Sequence, residues 1–208
     1  MTSRERVLAA FAHREPDRVP LDLSGHRSSG VAAMLYPRLR RALGLPPAPV
    51  RVHDTIQQLA IVDEDVLDCC GVDTIELGRG FAREERWWAD WVLPDGSLCQ
   101  VPVWDVPQRE AGRWVMKSAS GRVIGQMVDG SLYFEQASFP LAEDPGMALA
   151  DALRECMWTA RVAPPGPAGS RETGGLDLAE GARALRRSSE RAITGLFGGN
   201  LLEIGEYL

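Results

Sequence analysis

The sequence predicts an α/β fold on parallel strands, with an antiparallel β meander inserted into it. Two observations carry this reading. From the N-terminus, helical and strand patterns alternate: helix over 2–13, strand over 19–23, helix over 31–43, strand over 50–54, helix over 64–70 and strand over 72–77. Such alternation is the signature of a parallel sheet whose crossovers are helices. Residues 86–139 then change character. Five of the six tryptophans fall there (Trp87, Trp88, Trp91, Trp104 and Trp114), among short runs separated by Pro94-Asp95-Gly96, Ala111-Gly112, Ser120-Gly121 and Asp129-Gly130. Asp-Gly between apolar runs is a strong hairpin signal.

Each element has a local reason. Thr2 and Glu5 have the spacing of a capping box. Val7, Leu8 and Phe11 then fall on one helical face, and Pro16 ends the helix. Val19 to Leu23 reads as a short buried strand, and Ser24 to Gly30 as a polar loop at its C-terminal end. Pro37 marks a break or a second start within 31–43. Pro46-Pro47-Ala48-Pro49 is a stiff connector. Asp63 caps the helix over 64–70, Gly71 closes it, and Cys69-Cys70 suit its buried face. After the meander, Pro145 to Trp158 returns to helix. Pro164 to Gly175, within a loop over 161–175, is rich in Pro and Gly. Asp177 to Arg191 is a helix with Leu178, Ala182 and Leu185 on one stripe. Ala192 to Phe197 fits a buried strand, and Leu201 to Leu208 begins another helix.

The 208 residues read as a single domain, 45% hydrophobic and 25% charged, ordinary for a soluble globular chain. A net charge of −6 argues against a nucleic-acid or anionic-membrane partner. No run approaches the ~20 apolar residues of a membrane span, and Met1 to Arg6 leads into an amphipathic pattern, not a signal-peptide core. Cys69, Cys70, Cys99 and Cys156 form no CxxC pair, so a reducing cytoplasm is the expected compartment.

Thr2 to Phe11, followed by Glu15-Pro16-Asp17-Arg18-Val19-Pro20, resembles the start of the uroporphyrinogen decarboxylase superfamily, which includes porphyrinogen decarboxylases and corrinoid-dependent methyltransferases. Further similarities follow in order: Tyr36 to Leu45, Asp54 with Gln57-Gln58-Leu59-Ala60, Asp63 to Asp73, then Trp91, Pro94-Asp95-Gly96 and Pro102, and last Leu178 to Leu208. The resemblance implies a TIM (β/α) barrel with its chemistry at the C-terminal strand ends. A barrel takes ~250 residues. With 86–139 given to the meander, the expectation is a partial barrel, about its first half.

The same resemblance suggests site residues. The true decarboxylases carry an Arg-Gln-Ala-Gly-Arg segment after the first strand, whose guanidiniums bind substrate carboxylates. Here that loop reads Ser24-Gly25-His26-Arg27-Ser28-Ser29-Gly30. His26 and Arg27 are the substrate-binding candidates, the alternative being solvated loop residues. The departure favours the methyltransferase-like branch. Asp54 matches the aspartate that holds pyrrole N–H groups, and is the catalytic candidate; alternatively it caps the segment from Thr55. His53 and Tyr207 are further substrate-binding candidates, with packing as the alternative for both.

The methyltransferase-like relatives use zinc and a corrinoid partner, with His and Cys ligands in their C-terminal half. The His and Cys residues here have no ligand spacing, so no metal and no cofactor are expected in this chain. Glu84-Glu85 reads as a solvated face, and the tryptophans read as meander core. Gly78-Arg79-Gly80 and Gly195 to Asn200 match no phosphate-binding fingerprint. The expected function is that of a superfamily protein related to corrinoid-dependent methyltransferases, with a tetrapyrrole or a methyl donor as small-molecule partner. Cofactor-free uroporphyrinogen decarboxylation is the alternative. So is a truncated product, inactive alone or paired with a complementary C-terminal half or a second copy.

Overall fold

A computed structural model of the chain describes residues 1–77, 85–161, 175–195, 205, 206 and 208. Thr2 opens α1 (Ser3–Phe11). Its hydroxyl accepts the Glu5 N–H at 3.2 Å, and the Glu5 carboxylate accepts the Thr2 N–H at 2.9 Å. The face with Leu8 and Phe11 is turned outward, and the buried positions are Arg6 and Ala9. Arg6 is drawn inward by two carboxylates. Its Nε and Nη2 donate to Asp17 at 2.6 and 2.8 Å, and its Nη1 donates to Asp73 at 2.6 Å.

Residues 19–23 form no strand, which corrects the expected buried one; Val19 is 76% and Leu21 46% exposed. Pro20 has no N–H to give a ladder. The Leu21 N–H goes to the Asp73 carboxylate at 2.8 Å, and the Leu21 carbonyl accepts the Asp73 N–H at 2.8 Å. The helix expected from residue 31 starts later. Val31–Ala32 is β1, and α2 is Tyr36–Ala42 with Pro37 in its first turn.

β2 (Val52–Asp54) and β3 (Leu59–Ala60) join β1 in an antiparallel sheet of order β1-β3-β2. Val52 pairs with Ala60 and Asp54 with Leu59. One step on β3 thus matches two on β2, and His53 is the extra residue of a β-bulge. Residues 55–58 turn between these strands, with Gln58 at φ 55°, so no helix begins at Thr55.

In α3 (Glu64–Cys69), Asp63 holds the N-cap position without capping. Its carboxylate accepts from the Tyr36 hydroxyl at 2.7 Å and from Arg40 Nη1 at 2.8 Å instead. Cys69 is exposed and Cys70 half-buried, contrary to the expected buried pair, because the buried stripe of α3 is Val66 and Leu67. β4 (Thr74–Glu76) follows.

Residues 88–136 form two antiparallel sheets where one meander is expected. β5 (Trp88–Val92) and β6 (Leu98–Pro102) make a hairpin whose Gly96, at φ 83°, turns the chain. β7 (Gln108–Glu110), β8 (Arg113–Lys117), β9 (Val123–Met127) and β10 (Glu135–Gln136) lie in the order β10-β9-β8-β7. Tyr36, Val52 and Leu67 share one buried cluster with Val101, Ile124 and Met127, so the sheets and the first helices have a common core.

The helix expected over 145–158 is interrupted. After α4 (Pro140–Glu143), α5 (Leu149–Glu155) ends where Cys156 turns extended at φ −94°, ψ 130°, and α6 (Met157–Arg161) begins. The Pro- and Gly-rich segment over 162–174, and most of the helix expected from Leu201, lie outside the described residues. α7 (Gly175–Ser188) leads to β11 (Ala192–Thr194), which pairs in parallel with β4, Thr194 opposite Glu76.

The architecture is mixed helix and sheet. Among the described residues the sheets have three, four, two and two strands, and none closes into a barrel. No helix among those residues is long and apolar enough to cross a membrane.

Asp73 carries no exposed side-chain surface. Burial pushes its carboxyl up, but the Leu21 N–H and the Arg18 and Arg6 guanidiniums outweigh this and hold it below the usual carboxylate range. A carboxyl lowered by folding stabilises the fold above its unfolded pKa of ~3.9. That contribution is lost as pH falls through the folded value. Asp73→Asn is expected to cost about 3–5 kcal/mol in urea unfolding at pH 7. The variant should also lose part of the fall in stability that the parent shows between neutral pH and pH 3.

Burial, then the charges of Asp95 and Asp90, push the Cys99 thiol up to about 12. Since the thiolate is the reactive form, an aromatic disulfide reagent should label Cys69 first in the native chain. Cys99 and Cys156, both buried, should react only after unfolding.

Candidate functional site

The site forms where the loop 24–30 meets β4 at Thr74 and the C-terminal ends of β2 and β11. The loop is internally braced. Ser24 takes a positive φ of 60°, and its N–H donates to the Ser29 carbonyl at 2.9 Å. His26 caps the short 3-10 turn Arg27–Ser29, its Nδ1 accepting the Ser28 N–H at 3.2 Å. The exposed His26 ring therefore shapes the loop and leaves Arg27 to face inward.

Gly25 bolts the loop to the strands. Its N–H donates to Asp22 Oδ1 at 3.0 Å, and the Thr74 hydroxyl of β4 donates to that same oxygen. The Gly25 carbonyl accepts the Thr194 hydroxyl of β11. A Cβ at Gly25 would run into both Asp22 Oδ1 and Thr74 Oγ1, so only glycine allows this approach.

Arg27 lies buried over Asp54, with Nη1 3.5 Å from Asp54 Oδ2 and side chains 7% and 1% exposed. Asp54 also ties its own turn, Oδ1 accepting the Gln57 N–H at 2.9 Å and Oδ2 accepting Gln57 Nε2 at 3.1 Å. Its neighbour His53 sets Nδ1 3.4 Å from Oε2 of the buried Glu76. These contacts close a circuit: Asp54 to Arg27, through the loop to Gly25, to Thr74 and Thr194, to Glu76, to His53 and back to Asp54. Two nitrogens on the circuit, Arg27 Nε and His53 Nε2, are buried without a hydrogen-bond partner among the described residues. An unmet buried polar group costs about 1–3 kcal/mol, so each calls for an explanation, a catalytic role being one.

Arg27, His53 and Asp54 are thus brought together, and His26 supports them from outside. Tyr207 lies outside the described residues, as do Glu84 and Gly78 to Gly80. Glu85 is exposed and pairs with Arg51 at 2.5 Å. Trp91 packs edge-on to Trp114 with centroids 5.4 Å apart, a core contact. Among the described residues no three His, Cys, Asp or Glu side chains are grouped to hold a metal ion.

Sequence reasoning missed Glu76, Asp22, Thr74 and Thr194. A signal existed for Glu76: an acid near the end of the strand pattern over 72–77, at the C-terminal strand end where α/β sheets place their ligands. Fold and site together define a mixed α/β protein with a partly buried ring of charged and hydroxyl side chains on its strands. No protein-family model matches the chain, and neither does any curated protein or solved structure.

Gly25→Ala is expected to cost about 1–3 kcal/mol, the usual effect of overpacking. Hydrogen exchange should then quicken at the amides of Ser24, Ser29 and Gly30, the loop's own bonds, while the amides of α3 keep their protection.

Proposed function

We propose that the chain is a uroporphyrinogen decarboxylase-like protein related to the corrinoid-dependent methyltransferases, and that its charged ring receives a tetrapyrrole. One observation carries the proposal: Arg27 reaches Asp54 only at 3.5 Å, and its Nε has no partner among the described residues. A contact at the outer limit of hydrogen bonding is weak enough for Arg27 to exchange Asp54 for a ligand's carboxylate or amide oxygen. The planar guanidinium suits that task. The parallel β4–β11 pair supports the fold side of the reading, since a (β/α) barrel gathers its ligand groups at C-terminal strand ends.

The state of Asp54 favours the methyltransferase-like branch. A carboxylate has about four acceptor positions. Gln57 occupies one on each oxygen and Arg27 a third. Such an aspartate is poorly placed to grip several pyrrole N–H groups at once, as decarboxylation requires. The lone Arg27 in the loop points the same way.

Titration of tryptophan fluorescence with hydroxocobalamin and with uroporphyrin III tests the assignment. Saturable binding of hydroxocobalamin, weakened about tenfold or more by Arg27→Ala, is the expected result. A tenfold loss corresponds to about 1.4 kcal/mol. Tighter binding of uroporphyrin III would move the protein to the decarboxylase reading. If neither compound binds, the tetrapyrrole assignment falls.

A further inference from the structure

We infer that His53 and Glu76 are the proton-handling pair of this site, with His53 Nε2 taking a heteroatom-bound proton from the ligand and Glu76 acting as its positioning residue. The inference rests on the tetrapyrrole-site reading and adds to it the kind of ligand group that is recognised.

The backbone singles out His53 first. It is the extra residue of the bulge in β2, and bulges re-aim a side chain away from strict strand alternation. The imidazole can therefore turn to Glu76 on β4 while the adjacent Asp54 meets Arg27, and both strand-end residues join the same circuit. The backbone of Glu76 is placed by the parallel pairing of β4 with β11. Its strand partner Thr194 and its neighbour-but-one Thr74 are the two hydroxyls that fasten Gly25 of the Arg27 loop.

The chemistry of the pair follows. Nδ1 lies 3.4 Å from Glu76 Oε2, an ion-pair contact without hydrogen-bond geometry, and a carboxylate on that side of the ring favours the tautomer with its proton on Nδ1. The neutral ring then presents Nε2 as a bare acceptor, and this atom is buried with no partner among the described residues. The other unpaired nitrogen of the ring, Arg27 Nε, can only donate. A ligand that satisfies both carries an oxygen acceptor and an acidic X–H group. In the transfer, the X–H bond breaks and its electron pair stays on X. The Nε2 lone pair forms the new N–H bond, and the positive charge on the imidazolium is balanced by the Glu76 carboxylate. The return step reverses each of these.

A purely structural His53, one that only links β2 to β4, would also sit against Glu76, but its Nε2 would not respond to a ligand. Nitrogen NMR of the 15N-histidine-labelled full chain separates the two, with His53→Gln identifying the resonances. In the ligand-free chain the expected state is Nδ1 protonated and Nε2 bare. Glu76→Gln, or Glu76→Asp if the first does not fold, should shift this toward a tautomer mixture. Saturating hydroxocobalamin or uroporphyrin III should then move the Nε2 resonance while Nδ1 stays in place. A ligand-free proton on Nε2, or a tautomer ratio indifferent to both Glu76 variants, overturns the inference. So does a bound probe that leaves Nε2 where it was, and that result leaves the tetrapyrrole reading standing. Absence of all probe binding counts against the tetrapyrrole reading instead, and the tautomer measurement then decides the pair by itself.

Discussion

The described fold hangs on the carboxylate of Asp73. Arg6 brings α1 to it, Arg18 brings the connecting segment, and the Leu21 N–H brings the chain to the start of the site loop, all between 2.6 and 3.0 Å. The Asp73 carbonyl accepts the Ala192 N–H at 2.8 Å, which starts the pairing of β4 with β11. One residue thus gathers segments far apart in the chain around the strand that carries Thr74 and Glu76. Burying a carboxylate is costly in isolation. Here the cost is offset because each acceptor oxygen meets two donors.

That anchoring sets what the site can be. With β4 fixed by its first contacts, Thr74 and Glu76 occupy defined heights, and Thr194 is opposite Glu76 by register. Gly25 can then lie against Thr74 because it lacks a Cβ. The loop is held at Gly25, and Arg27, two residues on, is carried over Asp54. Positions on two strands and one loop are therefore coupled through the short side chains of Asp22, Thr74 and Thr194 and the backbone of Gly25. A displaced β4 would separate both ion pairs together.

Legibility followed locality. The Thr2–Glu5 cap is a relation between residues three apart and could be read from spacing. Pro94-Asp95-Gly96 likewise marked the β5–β6 hairpin. What could not be read depends on distant partners. Leu8 and Phe11 have the spacing of a core face, yet Arg6 turns α1 the other way because Asp17 and Asp73 wait for it. Val19 to Leu23 has the composition of a buried strand, but a side-chain carboxylate takes the N–H that a neighbouring strand would need. In the site, Arg27, His53 and Asp54 were visible as residues. Their partner Glu76 was not, because only folding brings positions 53 and 76 to 3.4 Å. The bulge that frees His53 leaves no mark in the sequence.

Buried charge alone does not make a site, and this chain offers an internal comparison. Arg40 is as buried as Arg27, yet it donates to the Pro46 carbonyl through Nε and Nη2 and to Asp63 and Asp65, all between 2.8 and 2.9 Å. Asp73 is equally saturated. These groups have closed geometries and full partners, the pattern of a group that holds a fold. Among the described residues Arg27 and His53 each make one contact to an acid, at 3.5 and 3.4 Å, and each keeps a buried nitrogen unmet. They lie on the same circuit, which passes through the adjacent residues His53 and Asp54 of β2. Folding would gain by closing such contacts, as it does at Arg40. That two contacts on one circuit stay long among the described residues, where those of Arg40 and Asp73 close, is the physical ground on which the proposal of recognition at this ring rests.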